Sequence, residues 1–140
     1  MPIPSTPPHI LVVDDDDAVR ETIMANLEMA GYAVSAAPKA EEALLALQLP
    51  LSREQPVDLL VVDFDMPVMS GPELIREARR RGFRMPTLLI SGWLSGPAVG
   101  GLSALKGADR MLAKPFSPDD LLHAVRAVLD GGVPSSVEKE

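Results

Sequence analysis

Two short apolar runs in this chain each stop abruptly at aspartate. A β-branched run of this length, bounded by polar residues, is typical of a strand buried on both faces of a parallel sheet. Ligands of such a sheet bind outside the carboxyl ends of its strands, so two neighbouring strands of this kind would gather several carboxylates at one edge. Crowded carboxylates repel one another unless a cation lies among them, and the pattern therefore predicts a site as well as a fold. The first run covers residues 10–13 and is followed by Asp14, Asp15, Asp16 and Asp17; the second covers residues 59–62 and is followed by Asp63 and Asp65.

The composition excludes several classes of protein. A chain of 140 residues with 46% apolar residues is expected to form one globular domain. The absence of cysteine excludes disulfides and thiolate metal sites and suits a reducing cytoplasm. The net charge of −7 argues against direct binding of nucleic acid, because phosphate contacts need a basic face. No apolar stretch approaches the ~20 residues of a membrane span, so we expect a cytoplasmic domain with no membrane contact.

Strand and helix signals alternate along the chain, which is typical of an α/β fold with a parallel sheet. We expect one domain at 9–130, with a disordered tail at 1–8 and a polar tail at 131–140. Residues 96–107 hold four glycines and a proline, so a fourth helix there is expected to be short or mobile. The predicted strands cover 9–13, 32–36, 58–62, 87–90 and 110–113, and the other predicted helices cover 17–30, 40–49, 70–81 and 117–130.

Capping residues mark the predicted ends of the helices. A side-chain oxygen before the first turn satisfies backbone N–H groups that have no partner within the helix, and an acid three residues later completes a capping box. Gly31 is suited to end the first helix. The predicted starts are Asp16 or Asp17 for the first helix, Ser70 with Glu73 for the third, and Ser117 with Pro118 for the last.

Four of the five predicted strands end in a polar group that would face the same edge of the sheet. Ser91 follows the fourth strand and Lys114 follows the fifth. Each group has an ordinary explanation: Asp14 and Asp15 can begin a loop, Ser91 can belong to a turn, and Lys114 can be a surface lysine. Their convergence on one edge favours a binding site.

Together these groups resemble the receiver domain of two-component response regulators over roughly residues 9–130. The resemblance implies a flavodoxin-like α/β fold, a single five-stranded parallel sheet in the order 2-1-3-4-5 with helices on both faces. The matching motifs are Asp14-Asp15-Asp16 after the first strand, Asp63-Phe64-Asp65-Met66-Pro67 after the third, Ser91-Gly92 after the fourth and Lys114-Pro115-Phe116 after the fifth.

The resemblance also implies a phosphoryl-acceptor site that uses Mg²⁺. Asp63 would accept a phosphoryl group from a phosphohistidine. Asp14, Asp15 and Asp63 would hold the Mg²⁺ ion, with the backbone carbonyl of Asp65 as a further ligand. Oxygen ligands suit this hard cation, and neutralising charge is needed because a carboxylate is a poor nucleophile toward an anionic phosphoryl group.

Ser91 and Lys114 would contact the phosphoryl oxygens in such a site, and the Lys114–Pro115 peptide bond would be cis. Many members of the family carry an aromatic switch residue three places before the lysine, which moves together with the serine. Met111 stands at that position here. Methionine is flexible and apolar, so Ser91 and Met111 are expected to form a switch without an aromatic ring or a phenolic hydroxyl.

The resemblance implies a signalling domain that catalyses only its own phosphorylation and dephosphorylation. The phosphoryl donor would be a sensor or hybrid histidine kinase or a histidine phosphotransfer protein. Phosphorylation would alter the face formed by the fourth helix, fifth strand and fifth helix, for binding of a downstream protein or for onward phosphorelay; homodimer formation is left open. We hypothesise that residues 96–107 are loosely ordered without the phosphoryl group and that their ordering is the signal.

Two other functions remain open at this point. Asp63-Phe64-Asp65 satisfies the Asp-x-Asp nucleophile motif of haloacid-dehalogenase-type phosphatases, although Pro67 occupies the place of the usual threonine or valine. A pseudo-receiver would have the same fold and would bind partners without being phosphorylated. Repeated turnover of a phosphate ester would indicate the former function, and failure of Asp63 to be phosphorylated would indicate the latter.

Overall fold

The computed structural model of the protein describes residues 7–48, 56–92 and 108–131. Strands and helices alternate in these ranges until β4, after which residues 93–107 are not described. The final helix of the structure, α4, corresponds to the fifth helix of the sequence prediction. The strands are β1 (His9–Val13), β2 (Ala33–Ala37), β3 (Leu59–Asp63), β4 (Thr87–Ser91) and β5 (Arg110–Ala113), and the helices are α1 (Asp17–Met29), α2 (Ala40–Gln48), α3 (Gly71–Arg80) and α4 (Pro118–Leu129).

The five strands form one parallel sheet in the order β2-β1-β3-β4-β5, as the resemblance implied. Because β1 and β3 are direct neighbours, the two aspartate groups that follow them meet at the same edge. The flavodoxin-like α/β prediction is therefore confirmed. None of the helices in the described ranges is both long enough and apolar enough to cross a lipid bilayer.

Helices cover both faces of the sheet, and each face has its own apolar core. Alternate residues of a strand point to opposite faces, so the apolar runs of β1, β3 and β4 contribute to both cores. One core lies beneath α1 and α4 and contains Ile23, Leu27, Leu121, Ala124, Val125 and Val128 with Ile10, Val12, Leu59, Val61, Leu88 and Ile90. The other lies beneath α2 and α3 and contains Ala43, Leu44, Leu47, Leu74, Ile75 and Ala78 with Leu11, Val13, Leu60, Val62 and Leu89.

The predicted helix caps are present in the structure. Asp16, not Asp17, caps α1, since its side chain accepts a hydrogen bond from the backbone N–H of Val19 at 3.1 Å. The capping boxes at the starts of α3 and α4 are both formed. After α1 the chain turns at Gly31, whose φ of +101° is costly for residues with a Cβ.

Strands β3 and β4 each end one residue later than the sequence predicted, and β3 also begins one residue later. Asp63 remains in the sheet because it pairs in register with Ile90, and Ser91 remains in it because it pairs with Ala113. Strand β2 is likewise shifted by one residue, since His9 pairs with Ala33. Two of the candidate site residues are therefore held by strand pairing rather than by loops.

Several sequence expectations lie outside the described residues. These are most of the N-terminal tail, the glycine-rich segment 96–107 with the fourth helix proposed there, and most of the C-terminal tail. The domain boundaries at 9 and 130 remain predictions.

Candidate functional site

The site begins with three carboxylates that converge at the edge of the sheet. Asp14 and Asp15 follow β1, and Asp63 is the last residue of the neighbouring strand β3. One carboxylate oxygen from each of these residues lies within 4.8 Å of the others. Asp14 and Asp63 are buried whereas Asp15 is exposed, so the cluster is open to solvent on one side.

Asp14 is the most enclosed of the three, with 1% of its surface exposed. Its Oδ1 atom accepts a hydrogen bond from the backbone N–H of Asp16 at 2.9 Å, and its buried Oδ2 atom has no hydrogen-bond partner among the described residues. Burial raises the pKa of the Asp14 carboxyl to about 6, and the neighbouring charge of Asp63 adds to the rise. A buried oxygen without a partner is costly, which indicates that something positive belongs beside it.

Asp63 contacts the one basic side chain that the prediction placed at this edge. Lys114 Nζ donates to Asp63 Oδ1 at 3.0 Å. Burial raises the pKa of the Asp63 carboxyl even though the hydrogen bond from Lys114 opposes the rise. Burial also works against the charge of Lys114, but its contact with Asp63 outweighs that effect and raises the pKa of the ammonium group. The contact with Lys114 therefore offsets only part of the cost of burying the Asp63 carboxylate.

Ser91 and Lys114 are connected through the backbone. Ser91 is buried at the end of β4, and its carbonyl oxygen accepts a hydrogen bond from the Lys114 N–H at 2.9 Å. The Lys114–Pro115 bond is cis, as the resemblance implied. Met111 is half-buried in β5 and packs against the core beneath α2 and α3. The structure thus places both predicted switch residues on adjacent strands.

Asp65 lies in the loop between β3 and α3, and its side chain is exposed. Its negative charge adds to the rise in the pKa of the Asp63 carboxyl, which burial causes in the main. The role of its backbone carbonyl as a metal ligand remains a prediction.

The same loop contains Val68, which is 97% exposed and has a φ of +72°. A β-branched residue in the left-handed region is strained.

Gly71 is a residue of the site region that the sequence analysis did not single out. Its N–H donates to the Phe64 carbonyl at 2.9 Å, which brings the start of α3 against the end of β3. A Cβ atom at this position would collide with the carbonyl oxygen of Asp63 and would lie 2.9 Å from a Leu89 methyl carbon. The capping sequence at Ser70 showed where α3 starts but not how closely it approaches Asp63.

The chemistry of the cluster fits a small hard cation. The three groups that the cluster offers are carboxylate oxygens, which suit Mg²⁺, and no group in the described part of the chain hydrogen-bonds Asp14 Oδ2. An apolar groove of about 510 Å³ opens beside Lys114, between the start of α1 and the chain that follows β5. It is lined by Ala18, Val19, Thr22, Lys114, Pro115 and Phe116.

Comparison with known proteins adds independent information about this chain. A family model for the response regulator receiver domain matches residues 10–126. The chain is 41% identical over 122 residues to Response regulator MprA of Mycobacterium leprae, covering 86% of this chain and 50% of that protein. It is 40% identical over 124 residues to Response regulator MprA of Mycolicibacterium vanbaalenii, covering 88% and 51%. The chain therefore spans about half the length of these relatives.

Solved structures give the same result for the fold. A CheY-like response regulator receiver domain protein from Methanospirillum hungatei superposes with a TM-score of 0.74 at 29% identity, covering 91% of this chain and 97% of that one. The receiver domain of NtrX from Brucella abortus superposes with a TM-score of 0.74 at 27% identity, covering 87% and 98%.

Proposed function

Because the chain belongs to the response regulator receiver domain family, we propose that Asp63 accepts a phosphoryl group from a phosphohistidine. The observation that carries this proposal is the 3.0 Å contact between Lys114 Nζ and Asp63 Oδ1 beside two further carboxylates. A cation and an acidic cluster around one buried aspartate are what phosphoryl transfer requires, since its catalysis rests on positioning and charge neutralisation.

The transfer exchanges one bond to phosphorus for another. Lys114 holds Asp63 Oδ1, so we assign the attack to the other carboxylate oxygen, Oδ2. As the new O–P bond forms, the P–N bond to the donor breaks and its electron pair stays on the imidazole nitrogen; the ring leaves as a neutral imidazole because the other ring nitrogen of the phosphohistidine carries a proton. The products are an acyl phosphate on Asp63 and a free imidazole on the donor.

The residues around Asp63 have separate roles in this proposal. After transfer, the Lys114 ammonium group would move from the Asp63 carboxylate to a phosphoryl oxygen. The Ser91 hydroxyl would donate a hydrogen bond to another phosphoryl oxygen. Asp14, Asp15 and Asp63, with the backbone carbonyl of Asp65, would hold Mg²⁺. When bound, this ion would supply positive charge against the carboxylates and the phosphoryl oxygens. The buried, unpartnered Asp14 Oδ2 supports this ligand set.

The apolar groove beside Lys114 supports binding of a protein donor rather than only a small phosphate ester. Val19 and Phe116 are half-buried on its two sides and give it an apolar lining next to the acceptor edge. A helix carrying a phosphohistidine would bury an apolar face here while its imidazole reaches Asp63. A sensor or hybrid histidine kinase or a histidine phosphotransfer protein meets this requirement.

We further propose that phosphorylation alters the face of β5 and α4 together with the segment that precedes β5. Met111 packs against the core beneath α2 and α3, and β5 pairs with the strand that carries Ser91. A shift of Ser91 toward the phosphoryl group would therefore reach Met111 across one strand pair. The output would be binding of a downstream protein, including a second copy of this chain, or onward phosphorelay in the cytoplasm.

Family membership favours this function over the two alternatives considered from the sequence. A haloacid-dehalogenase-type phosphatase is no longer supported, since the matches are to receiver domains. A pseudo-receiver is disfavoured by the contact between Lys114 and Asp63 and by the gathered carboxylates. In this proposal the domain's only catalysis is its own phosphorylation and dephosphorylation.

Incubation with acetyl phosphate and Mg²⁺, followed by intact mass measurement, tests the proposal. We expect the wild type to gain the mass of one phosphoryl group and Asp63→Asn to gain none. Asp119→Asn, a change at an exposed aspartate in the first turn of α4, serves as the matched control and should be modified like the wild type. No mass gain in the wild type would favour the pseudo-receiver, and repeated turnover of a phosphate monoester, beyond one equivalent, would favour a hydrolase.

A further inference from the structure

Arg20, in the first turns of α1, reaches back to the loop that carries the acidic cluster. Its Nη1 group donates to the backbone carbonyl of Asp14 at 2.9 Å. Its Nη2 group donates to Asp17 Oδ1 at 2.6 Å. The side chain of Arg20 is only 15% exposed, whereas that of Asp17 is exposed. The guanidinium group is therefore held against the Asp14 loop and does not extend into solvent.

The contact from Arg20 completes a set of hydrogen bonds around Asp14. The Asp14 N–H donates to the carbonyl of Ala37 at 3.3 Å, and Asp14 Oδ1 accepts from the N–H of Asp16 at 2.9 Å. With its carbonyl held by Arg20, Oδ2 is the polar atom of Asp14 that has no partner in the ranges the structure describes. The other two partners are backbone groups, so Arg20 is the part of this set that a substitution can remove.

Two observations indicate that Arg20 acts by geometry and not by adding charge to the cluster. Its two donor groups face a peptide carbonyl and Asp17, and neither donates to Asp14 Oδ2 or to Asp63. The charge of the guanidinium is also paired with Asp17, which lies outside the cluster of three carboxylates. Lys114 provides the positive charge that contacts the cluster directly.

We propose that Arg20, oriented by Asp17, is a positioning residue that holds the Asp14 loop so that Oδ2 faces the cation site. This inference rests on the proposed function, because the ion it concerns is the one that supports phosphorylation of Asp63. Residues that orient metal ligands from behind contribute to affinity by fixing the ligand before the ion arrives. Loss of Arg20 should weaken binding of Mg²⁺ while leaving the acceptor chemistry intact once the ion is bound.

Calorimetric titration with MgCl₂ tests the inference on the wild type, Arg20→Ala, Arg20→Lys and Asp17→Asn. We expect Arg20→Ala to raise the Kd for Mg²⁺ about 10-fold or more, the usual effect of removing a residue that orients a ligand. Arg20→Lys keeps one donor for the carbonyl and should recover part of the affinity, and Asp17→Asn should lie between the wild type and Arg20→Ala. Arg76→Ala, at an exposed arginine of α3, is the matched control and should bind Mg²⁺ like the wild type.

A second readout separates positioning from a structural role. In phosphorylation by phosphoramidate, Arg20→Ala should need about 10-fold more Mg²⁺ for half-maximal rate, with the rate at saturating Mg²⁺ within a few-fold of the wild type. If Arg20→Ala leaves the Kd for Mg²⁺ unchanged, the inference is wrong, whether or not the variant also has a lower free energy of unfolding in EDTA. Absence of Mg²⁺ binding by the wild type would overturn it too. Mg²⁺ binding without phosphorylation of Asp63 would overturn only the proposed function.

Discussion

Lys114 contacts Asp63 across a strand that belongs to neither of them: the ammonium group lies 3.0 Å from Asp63 Oδ1, and β4 separates β3 from the strand that Lys114 follows. The two residues are 51 positions apart in the chain. The contact therefore depends on the sheet order and on the path of the chain after β5. Any change that moves β5 relative to β3 alters the charge that Asp63 experiences.

Replacement of Lys114 by methionine should slow phosphorylation of Asp63 about 100-fold, the typical effect of removing one donor that stabilises developing charge. The side-chain volume is kept while the ammonium group is lost. The rate is measured by intact mass with acetyl phosphate at saturating Mg²⁺. Lys39→Met, at an exposed lysine just before α2, provides the matched control. Equal rates for Lys114→Met and the wild type would contradict the role given to Lys114.

Asp14 should make the metal-free protein less stable as the pH rises from about 4 to about 6. The pKa of its carboxyl rises from its ordinary value of 3.8 to about 6 in the folded protein, so the folded state binds more protons in this window than the unfolded state does. The free energy of unfolding consequently falls by about 3 kcal/mol as the pH increases through this window, and Asp14 causes no further change at higher pH. The pKa of Asp63 is also raised, which acts in the same direction.

Urea unfolding in EDTA at several pH values measures this effect. Asp14→Asn should lack this part of the fall and should be more stable than the wild type at pH 7, by up to about 3 kcal/mol. Asp15→Asn removes an exposed carboxylate of the same cluster and should keep most of the wild-type pH dependence. Parallel curves for the wild type and Asp14→Asn would show that burial of Asp14 is not the cause.

Gly71→Ala should destabilise the protein by about 3 kcal/mol, because overpacking against a rigid backbone atom cannot be relieved by a change of rotamer. The new Cβ would collide with the Asp63 carbonyl oxygen and force α3 away from β3. Urea unfolding gives the change. Gly92→Ala is the control, since among the described residues, its chain neighbours apart, no heavy atom lies within 4 Å of the position its Cβ would take. Comparable losses in both variants would rule out the close approach as the cause.

Val68→Asn should stabilise the protein by about 1 kcal/mol, because asparagine tolerates the left-handed region far better than a β-branched residue. Little packing is lost, since Val68 is 97% exposed. Val68→Ile keeps the branch at Cβ and should leave the free energy of unfolding unchanged. An equal gain in stability with isoleucine would show that relief of backbone strain at position 68 is not what stabilises Val68→Asn.

The sequence was sufficient to predict the strands, the caps and the convergence of Asp14, Asp15 and Asp63. Each of these follows from a local pattern: an apolar run, a capping residue, or a polar group after a strand. The roles of Gly71 and Arg20 could not be predicted in this way. They depend on how closely α3 approaches β3 and on where the first turns of α1 lie relative to the Asp14 loop, and both are properties of tertiary packing.

The one-residue errors at the ends of β3 and β4 have a similar origin. Asp63 and Ser91 are polar, so a local pattern assigns them to loops, whereas pairing with Ile90 and Ala113 keeps them in the sheet. Polar residues within buried strands contradict the hydrophobic pattern, and such contradictions concentrate at functional sites.

Because of the unpartnered oxygen of Asp14, selection for stability and selection for phosphorylation favour different residues at position 14. A library of variants screened for heat resistance without divalent cations should enrich neutral residues at position 14, because they remove a buried charge. The same library screened for phosphorylation should retain aspartate. Position 14 is thus a place where a more durable protein and a responsive one require different residues.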